Sequence, residues 1–195
     1  MSLELKPLTG EALSAALPGL AKLRITVFRA WPYLYDGDAA YEERYLRAYA
    51  ESPDAIVVGA LDGERLVGAA TAAPMEDHAA EFADPFRTAG YDLTEILYCG
   101  ESVLLPDYRG QGAGHEFFDR REAHGRALGR RFSCFCAVIR DENDPRRPPD
   151  HRPLDPFWRR RGYAPMEDVE ARFAWREVGA SEEIEHRMRF WIRRL

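Results

Sequence analysis

Residues Arg109 to Gly114 read Arg-Gly-Gln-Gly-Ala-Gly, directly behind the apolar run Val103-Leu104-Leu105 and Pro106. Glycines at alternate positions free the backbone to turn consecutive N–H groups toward one point. A helix starting there adds the positive end of its dipole, and Arg109 adds a full charge. This is the chemistry of an anion site, well suited to a pyrophosphate. Two better-known glycine loops fail on this stretch. A P-loop needs Lys followed by Ser or Thr, where this chain has His115 and Glu116. A dinucleotide fingerprint needs Gly-x-Gly-x-x-Gly, but here Gly110 and Gly112 are followed by Gly114 and then His115. The acidic residue expected about twenty positions on is replaced by Arg130 and Arg131.

The elements that would position this loop follow from periodicity and punctuation. A helix is expected over 10–29, with Thr9 as its cap and Pro18 kinking or splitting it. An aromatic loop (29–41) leads to a second helix from Tyr41 to Glu51, and 55–74 reads as a hairpin about Asp62-Gly63. Residues 76–94 read as irregular, with a short helix near 77–82. A strand over 94–105 feeds the glycine loop, a helix ends at Gly129, and 130–139 is a strand. A polar, proline-rich loop follows, then a short helix at 156–163 and an alternating strand at 169–178. From Ser181 the stripe Ile184, Met188, Ile192, Leu195 predicts a terminal amphipathic helix, acidic at its start and basic at its end.

With 195 residues and neither repeats nor a low-complexity linker, one domain is expected over 1–195. A hydrophobic share of 46% beside 31% charged residues fits an ordinary globular chain with a proper core. The formal charge of −6 argues against nucleic acid and acidic membranes as partners. No basic start with a long apolar run marks a secretion signal, and no window is long enough to span a bilayer. Three cysteines, Cys99, Cys134 and Cys136, then suggest reduced thiols in a cytoplasm. Cys134 and Cys136 should share a strand face, and no histidine spacing nearby supports a metal site.

At Arg109-Gly110-Gln111-Gly112-Ala113-Gly114 the chain resembles the GNAT superfamily of N-acetyltransferases, whose signature the stretch matches in full. A second region, Phe157-Trp158 followed by Gly162-Tyr163, stands at the expected distance downstream. The resemblance spans roughly 55–176. It implies an α/β (α+β) fold with a central mixed, mostly antiparallel twisted sheet flanked by helices, and acetyl-coenzyme A as co-substrate without a metal. It assigns the pyrophosphate to Arg109–Gly114, the pantetheine arm to the backbone of Val103, Leu104 and Leu105, and a coenzyme contact to Phe157 and Trp158. The acceptor would be a primary amine, on a small molecule or a peptide, attacked directly in a ternary complex.

Amine acetylation needs a neutral nitrogen, so a carboxylate must take the ammonium proton. The resemblance favours Glu101 for that role. Glu95, six residues earlier, shares its strand face if no bulge intervenes. Either glutamate could instead hold a structural ion pair. The family's usual acid tyrosine is replaced by Trp158, whose indole cannot donate as an acid. Tyr33, Tyr35, Tyr98 or water are left as donors, and an inactive acyl-coenzyme-A sensor is the competing reading. Trp31, Tyr33 and Tyr35, with Asp36 and Asp38, could line the acceptor groove or simply pin their loop to the core. His115 could lie near the phosphates, His124 reads as structural, and Arg159–Arg161 as a solvated basic turn. The terminal stripe leaves a homodimer open.

Overall fold

A computed structural model describes residues 3–195. In chain order it comprises β1 (Leu3–Leu8), α1 (Gly10–Phe28), α2 (Ala39–Glu51), β2 (Ile56–Asp62), β3 (Arg65–Pro74), α3 (Ala80–Thr88), β4 (Ile96–Leu104), α4 (Ala113–Ala127), β5 (Phe132–Val138), α5 (Asp155–Arg160), β6 (Ala164–Arg176) and β7 (Glu183–Arg194). The seven strands form one sheet in the order β1-β2-β3-β4-β5-β7-β6. Only β4 and β5 run parallel; every other pair is antiparallel. The expected mixed, mostly antiparallel sheet flanked by helices is the fold observed.

Helices cover both faces. On one face α1 and α2 bury Leu20, Leu23, Leu46 and Tyr49 against Val57, Ala69 and Val103. Further along it, α3 sets Ala83 and Phe86 on Ile96, Tyr98, Cys134 and Phe190. On the other face α4 lays Phe117 and Phe118 over Val58, Ala70, Cys99 and Phe135.

The C-terminal segment is a strand and not a helix. A spacing of four, as in Ile184, Met188 and Ile192, satisfies a period of 3.6 and a period of 2 alike. The intervening residues decide: His186, Met188 and Phe190 are buried on one face, with Trp191 buried on the other. β7 is therefore a strand inside the sheet, paired between β5 and β6, with Met188 buried and Ile184 exposed, and it offers no helix face for a second copy. β1, unforeseen in the sequence, is an edge strand, which is where a proline such as Pro7 is tolerated. The short helix expected near 77–82 lies at 80–88, later and longer than expected, and α1 runs unbroken through Pro18.

Two irregularities in the sheet position the chemistry. First, β4 and β5 pair only from Ile96–Tyr98 to Phe132–Cys134; beyond Tyr98 the strands part and leave a wedge. Second, β4 bulges. Two steps along β3, from Ala70 to Ala72, match three along β4, from Ser102 to Cys99. An extra residue reverses the facing of everything after it.

Candidate active site

The bulge explains where Glu101 points. Leu97 and Cys99 pack on the α4 side, and simple alternation would send Glu101 there too. With the extra residue, Glu101 instead joins Tyr98 and Val103 on the side of α1 and α2. Gly100 makes the bulge possible: a Cβ there would stand 2.1 Å from Tyr49 Oη and 2.8 Å from Thr71 Oγ1. On the opposite face Arg121, 1% exposed, donates to the carbonyls of Thr71 and Glu101 (3.3 and 3.0 Å) and to Ser102 Oγ. A buried guanidinium thus supplies donors to carbonyls around the irregular ladder.

Glu101 is itself buried and sits in a charged cluster. Arg24 of α1 lies between Glu101 (2.6 Å) and Glu42 of α2, which accepts from the Arg24 Nε. The Arg24 guanidinium also stacks over the Tyr45 ring at 4.2 Å. Tyr45 O–H donates to Glu101 Oε2 at 3.2 Å and lies 3.1 Å from Tyr49 Oη. Since Tyr45 has one proton, Tyr49 is then the donor within that tyrosine pair. Burial raises the Glu101 pKa above the ordinary carboxylate value; Arg24 opposes the rise and Glu42 adds to it. Burial alone would lower Arg24, but Glu101 and its other neighbours more than reverse that and lock it as a cation.

Two clefts meet beside this cluster. One, of about 520 Å³, lies over α1 and α2 and is walled by Tyr35, Tyr45, Phe82, Tyr98 and Trp175, with Glu42 in its lining. The other, of about 690 Å³, is the wedge between β4 and β5; Glu101, Leu104, Gly114, Arg121, Phe157 and Trp158 line it. Phe28, Tyr33, Gly100 and Cys136 border both. The wedge ends at the first turn of α4. There Gly110 and Gly112 hold φ of +77° and +89°, and a Cβ on either would meet nothing within 4 Å. Backbone conformation and not packing therefore demands these glycines, and the space beside them is open to a ligand. Gly112 caps α4, with Arg109 tied back to the Leu104 carbonyl at 3.2 Å.

The other candidates fall on both sides of this junction. Glu95 is not beside Glu101: it belongs to a 3-10 turn before β4, pairs with Arg131 at 2.6 Å, and is separated from Glu101 by the bulge. Val103 is fully buried among the α1 and α2 side chains, so only its backbone could meet a ligand, while Leu104 lines the wedge. Tyr33 borders both clefts and Tyr35 the α1/α2 cleft, whereas Trp31 lines the wedge and contacts His151 edge-on. Their loop is firmly pinned. Arg140 donates to the carbonyls of Pro32 and Tyr33 (2.6 and 2.9 Å), and Trp175 Nε1 donates to the same Tyr33 carbonyl at 3.0 Å. Hydrogen bonds from Arg146 and Arg140 hold Glu177, behind that loop, below its ordinary pKa despite burial. His115 meets Arg161 and Phe157, and His124 contacts the Asp54 carbonyl at 2.8 Å. Arg161 is held by Asp119 and Glu122, and Arg159 lies over Trp191. Arg24, Glu42, Tyr45 and Arg121 escaped the sequence reading, because their partners lie far along the chain.

A wedge of parting parallel strands, ending in an open glycine cradle at a helix start, decides the family together with one comparison. A family model described as "Acetyltransferase (GNAT) family" matches residues 23–148. The chain belongs to the GNAT acetyltransferase family. The match begins inside α1, earlier than the resemblance suggested, and ends before Phe157 and Trp158. Solved structures agree on the GNAT fold. A ribosomal-protein-alanine N-acetyltransferase from Brucella melitensis superposes with a TM-score of 0.64 at 12% identity, covering 98% of this chain and 99% of that one. A putative acetyltransferase from Salmonella typhimurium, solved with its cofactor acetyl-CoA, gives 0.59 at 12% identity, covering 100% and 95%. A putative phosphinothricin N-acetyltransferase gives 0.61 at 13%, covering 100% and 99%. No curated protein matches the chain. Among the described residues no helix is long and apolar enough to cross a membrane.

Proposed function

We propose that this GNAT chain transfers an acetyl group from acetyl-coenzyme A to a primary amine, the two substrates meeting at Gly100. The observation that carries the reading is the bulge, which delivers a buried carboxylate to the junction of the two clefts. The glycine cradle and the α4 N-terminus fit a pyrophosphate, and the wedge fits an extended arm leading to the junction. The Salmonella relative with acetyl-CoA supports the same donor.

Glu101 takes the proton from the incoming ammonium, directly or through water, leaving a neutral nitrogen. Its raised pKa suits a group that must accept that proton. The nitrogen lone pair forms the C–N bond, the C–S bond breaks, the nitrogen's second proton leaves to solvent, and the departing thiolate takes a proton from a donor that solvent then reprotonates. Trp158 is packed against Phe135 and Trp191 and has no acid to give. Tyr33, which borders both clefts and is kept protonated by burial, is the donor we assign. Holding both substrates at one point supplies much of the rate.

The experiment is turnover, read as free thiol release with a panel of amines, for the wild type and Glu101→Gln. The reading requires activity that falls in the variant while acetyl-coenzyme A affinity is kept. Acetyl-coenzyme A binding without turnover on any amine would favour the sensor reading instead.

A further inference from the structure

The floor shared by the two clefts, with Arg24 and Glu42 on the α1/α2 side and Glu101 on the wedge side, carries more negative charge than its guanidinium neutralises. Arg24 alone faces both Glu42 and Glu101, which are 0% and 5% exposed. The second carboxylate oxygens, Glu42 Oε1 and Glu101 Oε1, are buried without a hydrogen-bond partner. Buried anionic groups left short of partners are costly, and an arriving cation relieves that cost.

The remaining charges of the α1/α2 cleft repeat the bias. Asp36, Asp38 and Glu183 line it beside Arg44 and Arg176. Arg176 is already held by Asp36 at 3.0 Å, and Arg24 by its two glutamates. Arg44 stands exposed on α2, outside the buried floor. A ligand carboxylate reaching the floor would therefore meet like charge, while the aromatic walls offer π-faces to an ammonium and apolar area to its body.

The geometry points to a small primary amine on an aromatic or aliphatic body, entering as an ammonium and bearing no carboxylate, as the acceptor. This rests on the transfer reading above for the fate of the amine, but the ligand class follows from the cleft itself. The ammonium sits over the Glu42–Arg24–Glu101 floor and delivers its proton to Glu101. The three floor groups then become neutral overall as the amine becomes a nucleophile.

Matched pairs test the proposal: tyramine against tyrosine, and phenethylamine against phenylalanine. Binding to the wild type is measured by calorimetry with and without coenzyme A, and acetylation by thiol release. The amine of each pair should bind at least tenfold tighter than its amino acid, and Glu42→Gln should shrink that ratio. An amino acid that binds as well as its amine overturns the proposal. So does a chain that binds neither small amine yet acetylates peptide amino termini. A separate titration with acetyl-coenzyme A keeps the two readings apart. No acetyl-coenzyme A binding with the amine preference intact would sink the transfer reading alone; the reverse result would sink this one alone. The wild-type comparison needs no variant, so a misfolded Glu42→Gln cannot rescue the idea.

Discussion

At Glu101 burial and Glu42 push the pKa up while Arg24 pulls it down, so substitutions at the two neighbours should act with opposite signs. Removing the Glu42 charge frees Arg24 for Glu101 and lowers its pKa; the acid limb of the kcat–pH profile in Glu42→Gln should move to lower pH. Arg24→Met should move it to higher pH. A purely structural role would lower activity without shifting the limb, and limb positions measured with one amine separate the cases. Glu101→Gln should cost roughly 10²–10⁴-fold in kcat, the usual worth of a general base. The same shift makes a stability statement. A carboxylate whose folded pKa is raised ionises with more difficulty in the folded chain, so stability is lost as pH rises through that value. Glu101→Gln should therefore melt higher than the wild type above the limb and no higher below it. A uniform loss of Tm at every pH would contradict the placement of a strained charge here.

At the scale of elements, the bulge in β4 is the part on which the site depends. Gly100→Ala sets a Cβ against the Tyr49 hydroxyl, an overpacking that should cost about 1–3 kcal/mol. Adding Tyr49→Phe removes the opposing oxygen and should recover part of that loss, a coupling that a double-mutant cycle on thermal unfolding would measure. Much of the framework was legible in the sequence: the hairpin about Gly63, the strand into the glycine loop, α4 and its glycine end all announce themselves by local chemistry. The glycine cradle was equally legible, because left-handed φ at Gly110 and Gly112 is a local demand. The facing of Glu101 was not. A bulge is a relation between strands, and counting residues along one strand put Glu95 and Glu101 together. The terminal strand was missed for a related reason, since Ile184, Met188 and Ile192 fit either period until pairing with β5 and β6 is known. Arg24, Glu42 and Arg121 are ordinary helix residues by sequence, and become site residues only when α1, α2 and α4 close on β4.

For the whole molecule, the parting of β4 from β5 leaves a sheet with an internal gap, and filling it should stabilise the fold. A ligand at one hundred times its Kd adds about 2.7 kcal/mol, which for a chain of this length is a rise of roughly 5–11 °C in Tm. We expect this gap and its glycine cradle to hold acetyl-coenzyme A. The most direct test is a calorimetric titration of the wild type, Gly112→Asp and Gly129→Asp with acetyl-coenzyme A. Gly129 also holds a left-handed φ, +73°, but beyond the opposite end of α4, so it controls for backbone strain. Binding to the wild type and to Gly129→Asp, with affinity lost in Gly112→Asp, is the predicted result. No binding to a folded wild type, or equal binding by all three proteins, would mean that the glycine cradle does not hold the coenzyme.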